Sequence, residues 1–145
     1  MPQDHEIGTR LDQAASLAEI LAAGFDAFEA IRIVARDHQD RVPELFAAFM
    51  TTANAAVDGR EALTIAPSLS PASQARPGQI LAAGTGTREA ADALAALAAA
   101  LGERLSQAAA LAEVPGDQAA CQQGAAAAWR ICELMTRGEH DARLR

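Results

Sequence analysis

The sequence predicts an all-α protein: a four-helix antiparallel bundle made of two helical hairpins that a long flexible crossover joins. Half of the 145 residues are apolar, but only 3% are aromatic. Alanine, the residue with the highest helix propensity, makes up about a quarter of the chain. Tyrosine is absent and β-branched residues are sparse, which disfavours strands. Four stretches repeat apolar residues every three or four positions, the spacing of amphipathic helices.

The first helix is predicted from about residue 10 to residue 39. Thr9 precedes it and Asp12 follows three positions later, a pattern that resembles a capping box. Beyond Gly24 the apolar residues point in several directions, so either this end is buried on more than one side or Gly24 permits a bend. Before that point the apolar stripe is regular and consists of Leu11, Ala14, Leu17, Ala18, Leu21, Phe25 and Phe28.

The second helix is predicted over about 43–58. Pro43 suits a first helical turn, where its missing N–H costs nothing. The "DGRE" stretch at 58–61 is expected to end the helix, although "REALTIA" is able to add a short helical turn. Residues 64–87 are rich in Pro, Gly, Ser and Thr, which predicts the flexible crossover. The apolar face of this helix consists of Leu45, Phe46, Phe49, Met50, Ala53 and Val57.

The second hairpin follows the crossover. Its first helix is predicted over about 88–113, with Thr87 as cap and with a seam of leucines at near-heptad spacing. The "VPGD" stretch predicts a tight turn, and Asp117 is expected to cap a last helix over about 118–137. Gly138 is expected to end that helix. The seam comprises Leu94, Leu97, Leu101, Leu105, Ala108 and Ala112. The stripe of the last helix comprises Ala120, Cys121, Gly124, Ala127, Ala128, Ile131, Leu134 and Met135.

The whole chain, 1–145, is expected to form one helical domain with frayed ends at 1–8 and 139–145. The formal net charge is −7, and the twelve basic residues, all arginines, are scattered along the chain. Neither nucleic-acid binding nor attachment to an anionic membrane is therefore expected. No apolar run is long enough for a membrane span, and the N-terminus lacks the pattern of a secretory signal, which predicts a cytoplasmic protein.

Two cysteines, Cys121 and Cys132, stand eleven residues apart on the predicted last helix. That spacing puts them on nearly the same side but about 16 Å apart along the axis. A disulfide needs Cα atoms within about 7 Å, so the two cannot pair within one helix. The sequence favours two small buried apolar side chains, with an intermolecular bridge or metal binding as the alternatives.

The stretch "ARDHQDR" concentrates polar groups at the end of the first helix. Arg36 with Asp40, and Asp37 with Arg41, have the i, i+4 spacing of helical ion pairs. His38 near a helix C-terminus interacts favourably with the helix dipole when it is protonated, and Asp40 is placed to cap the next helix. These structural roles are the favoured interpretation. The alternative is a metal site formed by Asp37, His38 and Asp40, although the Glu-x-x-His pair of carboxylate bundles is missing.

Catalytic signatures are weak. The "GTGT" stretch at 84–87 lacks the lysine of a phosphate-binding loop. A Ser/His/acid or Cys/His arrangement between distant residues stays open, but the apolar helix faces carry almost no polar group to bury and activate. The sequence therefore favours a protein without catalytic activity and without a cofactor.

The single tryptophan predicts an interaction surface. Trp129 projects about 150° away from the centre of the apolar stripe of the last helix. Aromatic side chains exposed in this way are enriched at protein interfaces. The alternative is that this helix is buried on two sides, or that Trp129 packs under the crossover. The predicted interface residues are Trp129, Gln122, Ala125, Ala126 and Glu133. A nearly uncharged flank on the preceding helix consists of Ala95, Ala96, Ala99, Ala100 and Ala110.

Three functional hypotheses follow. The first is a non-catalytic, cytoplasmic bundle that acts by protein–protein association with itself or another protein, as a homodimer. The second is a sensor or carrier that holds a small apolar ligand in a cavity between the first two helices. The third is a metal-binding protein or enzyme centred on His38. The residues assigned to the apolar ligand are Phe25, Phe28, Phe46, Phe49 and Met50.

Overall fold

Four α-helices make up most of the protein in the computed structural model, which describes residues 11, 16–70 and 86–143. They are α1 (Leu17–His38), α2 (Phe46–Thr64), α3 (Thr87–Leu111) and α4 (Pro115–Arg143), and a 3₁₀ turn at Pro43–Leu45 precedes α2. These described residues contain no strand, so the prediction of an all-α bundle is confirmed. None of the described helices has both the length and the apolar character that crossing a bilayer requires.

The helices form a square in which α1 contacts α2, α2 contacts α4, α4 contacts α3, and α3 contacts α1. Neighbouring helices run antiparallel. In the α2–α4 pair, position 138 lies against Ala48 near the start of α2, whereas position 124 lies against Leu63 near its end. In the α1–α3 pair, His38 at the end of α1 contacts Thr87 at the start of α3. The two predicted hairpins therefore pack side by side.

This arrangement makes α2 parallel to α3, because both run antiparallel to α1. The connection between them must therefore travel from one end of the bundle to the other, about 36 Å for a helix of 25 residues. A bundle with one long crossover has this connectivity. The predicted crossover at 64–87 is thus required by the topology, although its residues 71–85 lie outside the described part of the chain.

The first residues of the crossover are anchored rather than loose. The carboxylate of Asp117 in α4 accepts hydrogen bonds from the backbone N–H of Ser68, at 3.0 Å, and from its hydroxyl, at 2.6 Å. Ala66 and Leu69 are buried beside this contact. The expected capping role of Asp117 is therefore wrong: α4 begins two residues earlier, at Pro115, and the carboxylate holds the crossover instead.

The core alternates small and large residues across the bundle. A Cβ added at Gly24 of α1 would lie 3.1 Å from Leu63, and one added at Gly124 of α4 would lie 2.9 Å from Leu63 and 3.1 Å from Leu105. Glycines on two diagonal helices thus make room for leucines on the other two, which allows close interhelical packing. Gly24 lies within the continuous helix α1, and its role is close packing.

The start of α1 differs from the prediction. The described helix begins after Ser16, whose hydroxyl accepts a hydrogen bond of 3.1 Å from the N–H of Glu19. Leu11 is fully buried, in agreement with its place in the predicted stripe. The proposed capping pair, Thr9 and Asp12, and the predicted frayed end at 1–8 lie outside the described residues.

Two glycines predicted to end helices lie inside them instead. Helix α2 continues through Gly59 to Thr64, and α4 continues through Gly138 to Arg143. A Cβ at Gly59 would stand 2.5 Å from the ring of Phe28, and a Cβ at Gly138 would stand 2.7 Å from the Cβ of Ala48. Each glycine permits a close approach by a neighbouring helix. Residues 139–143 belong to this helix, and residues 144–145 lie beyond the described part, so the expected fraying at 139–145 stays a prediction.

Two further predicted caps are also wrong. Thr87 is the first residue of α3, and Gly86 occupies the N-cap without a side-chain hydrogen bond. Asp40 does not cap the next element, because Val42 is the N-cap of the 3₁₀ turn and no side chain caps it. These helix starts therefore depend on tertiary contacts rather than on local capping.

An ion-pair cluster joins α1 to α2. Glu29 accepts hydrogen bonds from Arg32 on its own helix and from Arg60 on α2. Burial raises the pKa of Glu29, but the hydrogen bonds from the two arginines outweigh burial, so its pKa lies below the ordinary value. The carboxylate is therefore charged at neutral pH and fixes the register of the first hairpin.

Candidate functional site

Trp129 lies on the outer side of α4, in contact with α3. Its side chain is 45% exposed. The covered side of the indole rests on Gly102 of α3, because a Cβ added there would stand 2.7 Å from Cε2 and 3.0 Å from Nε1 of the ring. The helix backbone below the ring therefore fixes its position, while nearly half of the residue stays open to solvent.

Two depressions flank the indole. One, of about 440 Å³, lies between α3 and α4, and the other, of about 530 Å³, lies between α2 and α4. Trp129 and Ala126 line both, so they form a ridge between the two. We call this ridge with its two depressions the Trp129 face. Its further lining residues toward α3 are Ser106, Ala109, Ala110, Gln118, Gln122 and Ala125. Toward α2 they are Ala55, Asp58, Ala127, Arg130 and Glu133.

All five predicted interface residues line this face. Gln122, Ala126 and Glu133 are exposed beside Trp129. Ala125 differs, because it is only 5% exposed and belongs to the hydrophobic core. It forms the floor of the depression between α3 and α4 rather than its rim. Four of the five side chains that the sequence predicted to face outward from α4 are therefore exposed.

The alanine-rich flank of α3 was predicted as part of the interaction surface, whereas the part of this face that belongs to α2 was not predicted. Ala110 was assigned to the uncharged flank of α3, but Ser106 on α3 and Asp58 on α2 were not singled out. The one available signal was Gly102, a glycine inside a strongly helical stretch, which often marks a close approach. Its partner depends on the register of α3 against α4, which periodicity within one helix does not contain.

Charges around the Trp129 face are mixed. Glu133 forms an ion pair with Arg137 one turn further along α4, and both side chains are exposed. Arg130 and Asp58 line the same depression. Acids and bases alternate here, although the chain as a whole has a net charge of −7. The face therefore carries charges of both signs rather than negative charge alone.

The residues of "ARDHQDR" do not form a common site. His38 is buried, its ring stacks on Phe49 with the centroids 5.9 Å apart, and its Nδ1 lies 3.3 Å from Oγ1 of Thr87. Asp37 forms an exposed ion pair with Arg41 at 2.8 Å, which confirms that predicted pair. Across the described ranges, no group of three His, Cys, Asp or Glu side chains could hold a metal ion.

The second predicted ion pair is replaced by another contact. Nη2 of Arg36 lies 3.5 Å from Oδ1 of Asn54 on α2 rather than against Asp40. Asp40 is exposed and stands apart from buried His38. The candidate metal ligands Asp37, His38 and Asp40 therefore point into different environments.

The surroundings of His38 disfavour the protonated form that would interact with the helix dipole. Burial lowers the pKa of His38 below the ordinary value of 6.5, and the charge of Arg41 lowers it further, while Asp37 opposes the shift. The neutral imidazole is therefore the favoured form in the folded protein at neutral pH.

The five residues assigned to an apolar ligand do not share one environment. Phe25, Phe28 and Phe49 are buried, whereas Phe46 and Met50 are 40% and 38% exposed. The ring of Phe28 fills the space left by Gly59. None of the five lines the depressions beside Trp129. Three of them are thus core residues and two belong to the outer surface of α2.

Both cysteines are free thiols, as the spacing predicts. Cys121 is buried, and burial together with the charge of Asp117 raises its pKa to about 11. This thiol is therefore protonated at neutral pH and unreactive. Cys132 is half-buried.

The Trp129 face is suited to contact rather than to chemistry. The depression between α3 and α4 is lined by alanines, by the amides of Gln118 and Gln122, by the hydroxyl of Ser106 and by the indole, and none of these titrates near neutral pH. Such a mixture of an aromatic anchor, small apolar groups and neutral polar groups is typical of protein interfaces. Comparisons with known protein families, with curated proteins and with solved structures found no match for this chain.

Proposed function

We propose that this chain is a non-catalytic, cytoplasmic protein that works by association with a second copy of itself through the Trp129 face. The observation that carries the proposal is the indole held on Gly102 with 45% of the residue exposed. A large aromatic side chain that is already fixed loses little conformational entropy when a partner covers it. Residues of this kind are frequent binding hot spots.

A second copy suits this surface for two reasons. In a two-fold symmetric contact the same patch meets itself, so each charge of one copy faces residues drawn from the same set. The depression toward α2 offers Arg130 together with Asp58 and Glu133, which allows opposite charges to meet across the axis. A uniformly acidic patch would instead require a basic partner.

The length of α4 supports an interface of ordinary size. This helix has 29 residues, which corresponds to about 43 Å. Stable complexes bury roughly 800 Å² per partner, so an interface of that size would combine α4 with the adjoining parts of α2 and α3. The two free thiols are also in keeping with the reducing conditions of the cytoplasm.

Sedimentation of the purified full chain at micromolar concentration tests the proposal. We expect a dimer for the wild type and a dissociation constant at least about 30-fold higher for Trp129→Ala, because hot-spot truncations cost about 2 kcal/mol or more. Phe46→Ala is the matched control, since Phe46 is a 40% exposed aromatic residue that does not line the face. It should dimerise like the wild type.

Two results would refute self-association through this face. One is a wild-type monomer at tens of micromolar, and the other is a dimer that Trp129→Ala leaves unchanged. Circular dichroism of each variant shows whether the helices persist, so that loss of the dimer is not confused with loss of the fold.

A further inference from the structure

The corner where α1 ends and α3 begins is held in an unusual way. Helix α3 starts at Gly86 and Thr87 without a side-chain cap, so its first turn has no local anchor of that kind. Instead, Oγ1 of Thr87 lies 3.3 Å from Nδ1 of His38, the last residue of α1. Of the four neighbouring helix pairs, α1 and α3 make the fewest residue contacts. At this corner the His38–Thr87 contact therefore joins two helices that pack less extensively than the other pairs.

The imidazole is enclosed rather than solvated. His38 is only 3% exposed, and its ring stacks on Phe49 of α2 at an interplanar angle of 27°. Its neighbour on α3, Thr87, is half-buried at the N-terminus of that helix, where the helix dipole presents partial positive charge. A proton added to the ring would place a positive charge beside this positive helix end, with little water to solvate it.

The surrounding charges do not compensate for such a proton. Close to the ring, Arg41 disfavours the protonated form and Asp37 favours it, and these two are paired with each other at 2.8 Å. On α2, the side chain that contacts the imidazole is the uncharged ring of Phe49. Four further charged side chains lie in the turn before α2 and in the first turn of α3, and all are exposed: Asp40, Glu44, Arg88 and Glu89.

We propose that the His38–Thr87 contact is an acid-sensitive latch, and that protonation of the imidazole releases the start of α3 from the end of α1. The neutral ring hydrogen-bonds Thr87 and packs on Phe49. The protonated imidazole is better solvated by water than by its buried site. Protonation therefore favours the open state, in which the start of α3 has separated from the end of α1. The latch does not involve the Trp129 face, so the two proposals stand or fall separately.

The linkage between protonation and opening has a definite sign. Because the folded protein holds the pKa of His38 below its ordinary value, the open state binds more protons than the closed state. Acidification therefore promotes opening, beginning near the ordinary pKa of about 6.5. The opening constant should rise by up to tenfold for each pH unit and level off below the folded pKa.

Hydrogen exchange with mass spectrometry, from pH 7.5 to pH 5 and corrected for intrinsic exchange rates, measures this opening. We expect amides of the first turns of α3 to exchange faster as the pH falls, while amides in the middle of α4 keep constant protection. His38→Gln retains a hydrogen-bonding side chain but cannot be protonated in this pH range. In this variant the protection of the α3 amides should therefore not vary with pH. His140→Gln, at an exposed position, should behave like the wild type.

A second variant separates the hydrogen bond from the titration. Thr87→Val removes the hydroxyl and leaves His38 in place, so opening should increase already at pH 7.5 and should still rise on acidification. An equal acid response in wild type and His38→Gln, or one spread evenly over all four helices, would overturn the latch. If His38→Gln fails to fold, NMR titration of the wild-type imidazole decides, since a midpoint at or above 6.5 rules the latch out.

Discussion

The same packing device occurs twice in this bundle, with opposite outcomes. In the first hairpin the ring of Phe28 on α1 lies against Gly59 of α2, and in the second hairpin the indole of Trp129 on α4 lies against Gly102 of α3. Phe28 is fully buried, whereas Trp129 is 45% exposed. A glycine under an aromatic ring thus closes the core in one place and presents a rigid ring to solvent in the other.

The difference shows what the two hairpins contribute. In the first hairpin, Phe28 and Gly59 lie in the close-packed core, so a substitution at either residue should lower the free energy of unfolding. In the second, nothing in the described structure covers the outer side of the ring, so a group added beneath it displaces it outward and the cost falls on whatever binds that side. Substitutions at the two pairs should therefore separate stability from association.

Phe28→Ala should give the largest effect. The side chain is 0% exposed, so the substitution loses the transfer free energy of a ring and leaves a cavity beside Gly59. We expect the free energy of unfolding to fall by about 3–5 kcal/mol. Denaturant unfolding followed by circular dichroism measures it. Phe46→Ala, at a 40% exposed phenylalanine, should cost less than about 1 kcal/mol. Equal costs at the two positions would contradict the assignment of Phe28 to the core.

Gly59→Ala should give an intermediate loss of about 1–2 kcal/mol. Alanine raises helix propensity by up to about 1 kcal/mol, but its Cβ would stand 2.5 Å from two atoms of a ring that has no free space into which to move. Placing the same substitution in the Phe28→Ala background removes that clash, so there it should stabilise the protein. If Gly59→Ala destabilised both backgrounds equally, the glycine would have a role unrelated to the ring.

These two glycine–aromatic pairs also show the limits of prediction from the sequence. The leucine and phenylalanine spacing within each helix was sufficient to predict four helices and most of their inward faces. Three residues of the predicted faces, Ala18, Phe46 and Met50, are exposed instead. At Gly59 and Gly138 the sequence predicted helix ends, and this was wrong. A glycine that ends a helix and a glycine that lets an adjacent helix pack closely cannot be told apart from the sequence of one helix. The distinction depends on which residue the adjacent helix brings opposite.

His38 was misjudged for a related reason. Its neighbours Asp37 and Arg41 are exposed, and a cluster of polar residues at a helix end is typical of a solvated corner. The 100° step between consecutive residues turns His38 inward all the same, and Phe49 and Thr87 from two other helices enclose it. The exposed side of Trp129 was predicted from α4 alone, but the support that Gly102 gives it depends on the α3–α4 register.

Gly102→Ala should have the smallest effect on stability and the most informative effect on association. The new Cβ would stand 2.7 Å from the indole, but this ring has open space on its outer side, so it is able to shift outward. The gain in helix propensity, about 1 kcal/mol, offsets the disturbed contact, and the free energy of unfolding should change by less than about 0.5 kcal/mol. Since Trp129 is the only tryptophan, a red shift of its fluorescence reports the movement directly.

The displaced indole no longer has the position on which the proposed dimer depends. We therefore expect Gly102→Ala to raise the dimer dissociation constant about tenfold in sedimentation, equivalent to about 1.4 kcal/mol, without loss of helical structure. Unchanged fluorescence together with a large loss of stability would mean that the indole is held as firmly as Phe28. In that case the contrast between a core ring and a surface ring is wrong, and Trp129 serves the packing of α3 on α4 alone.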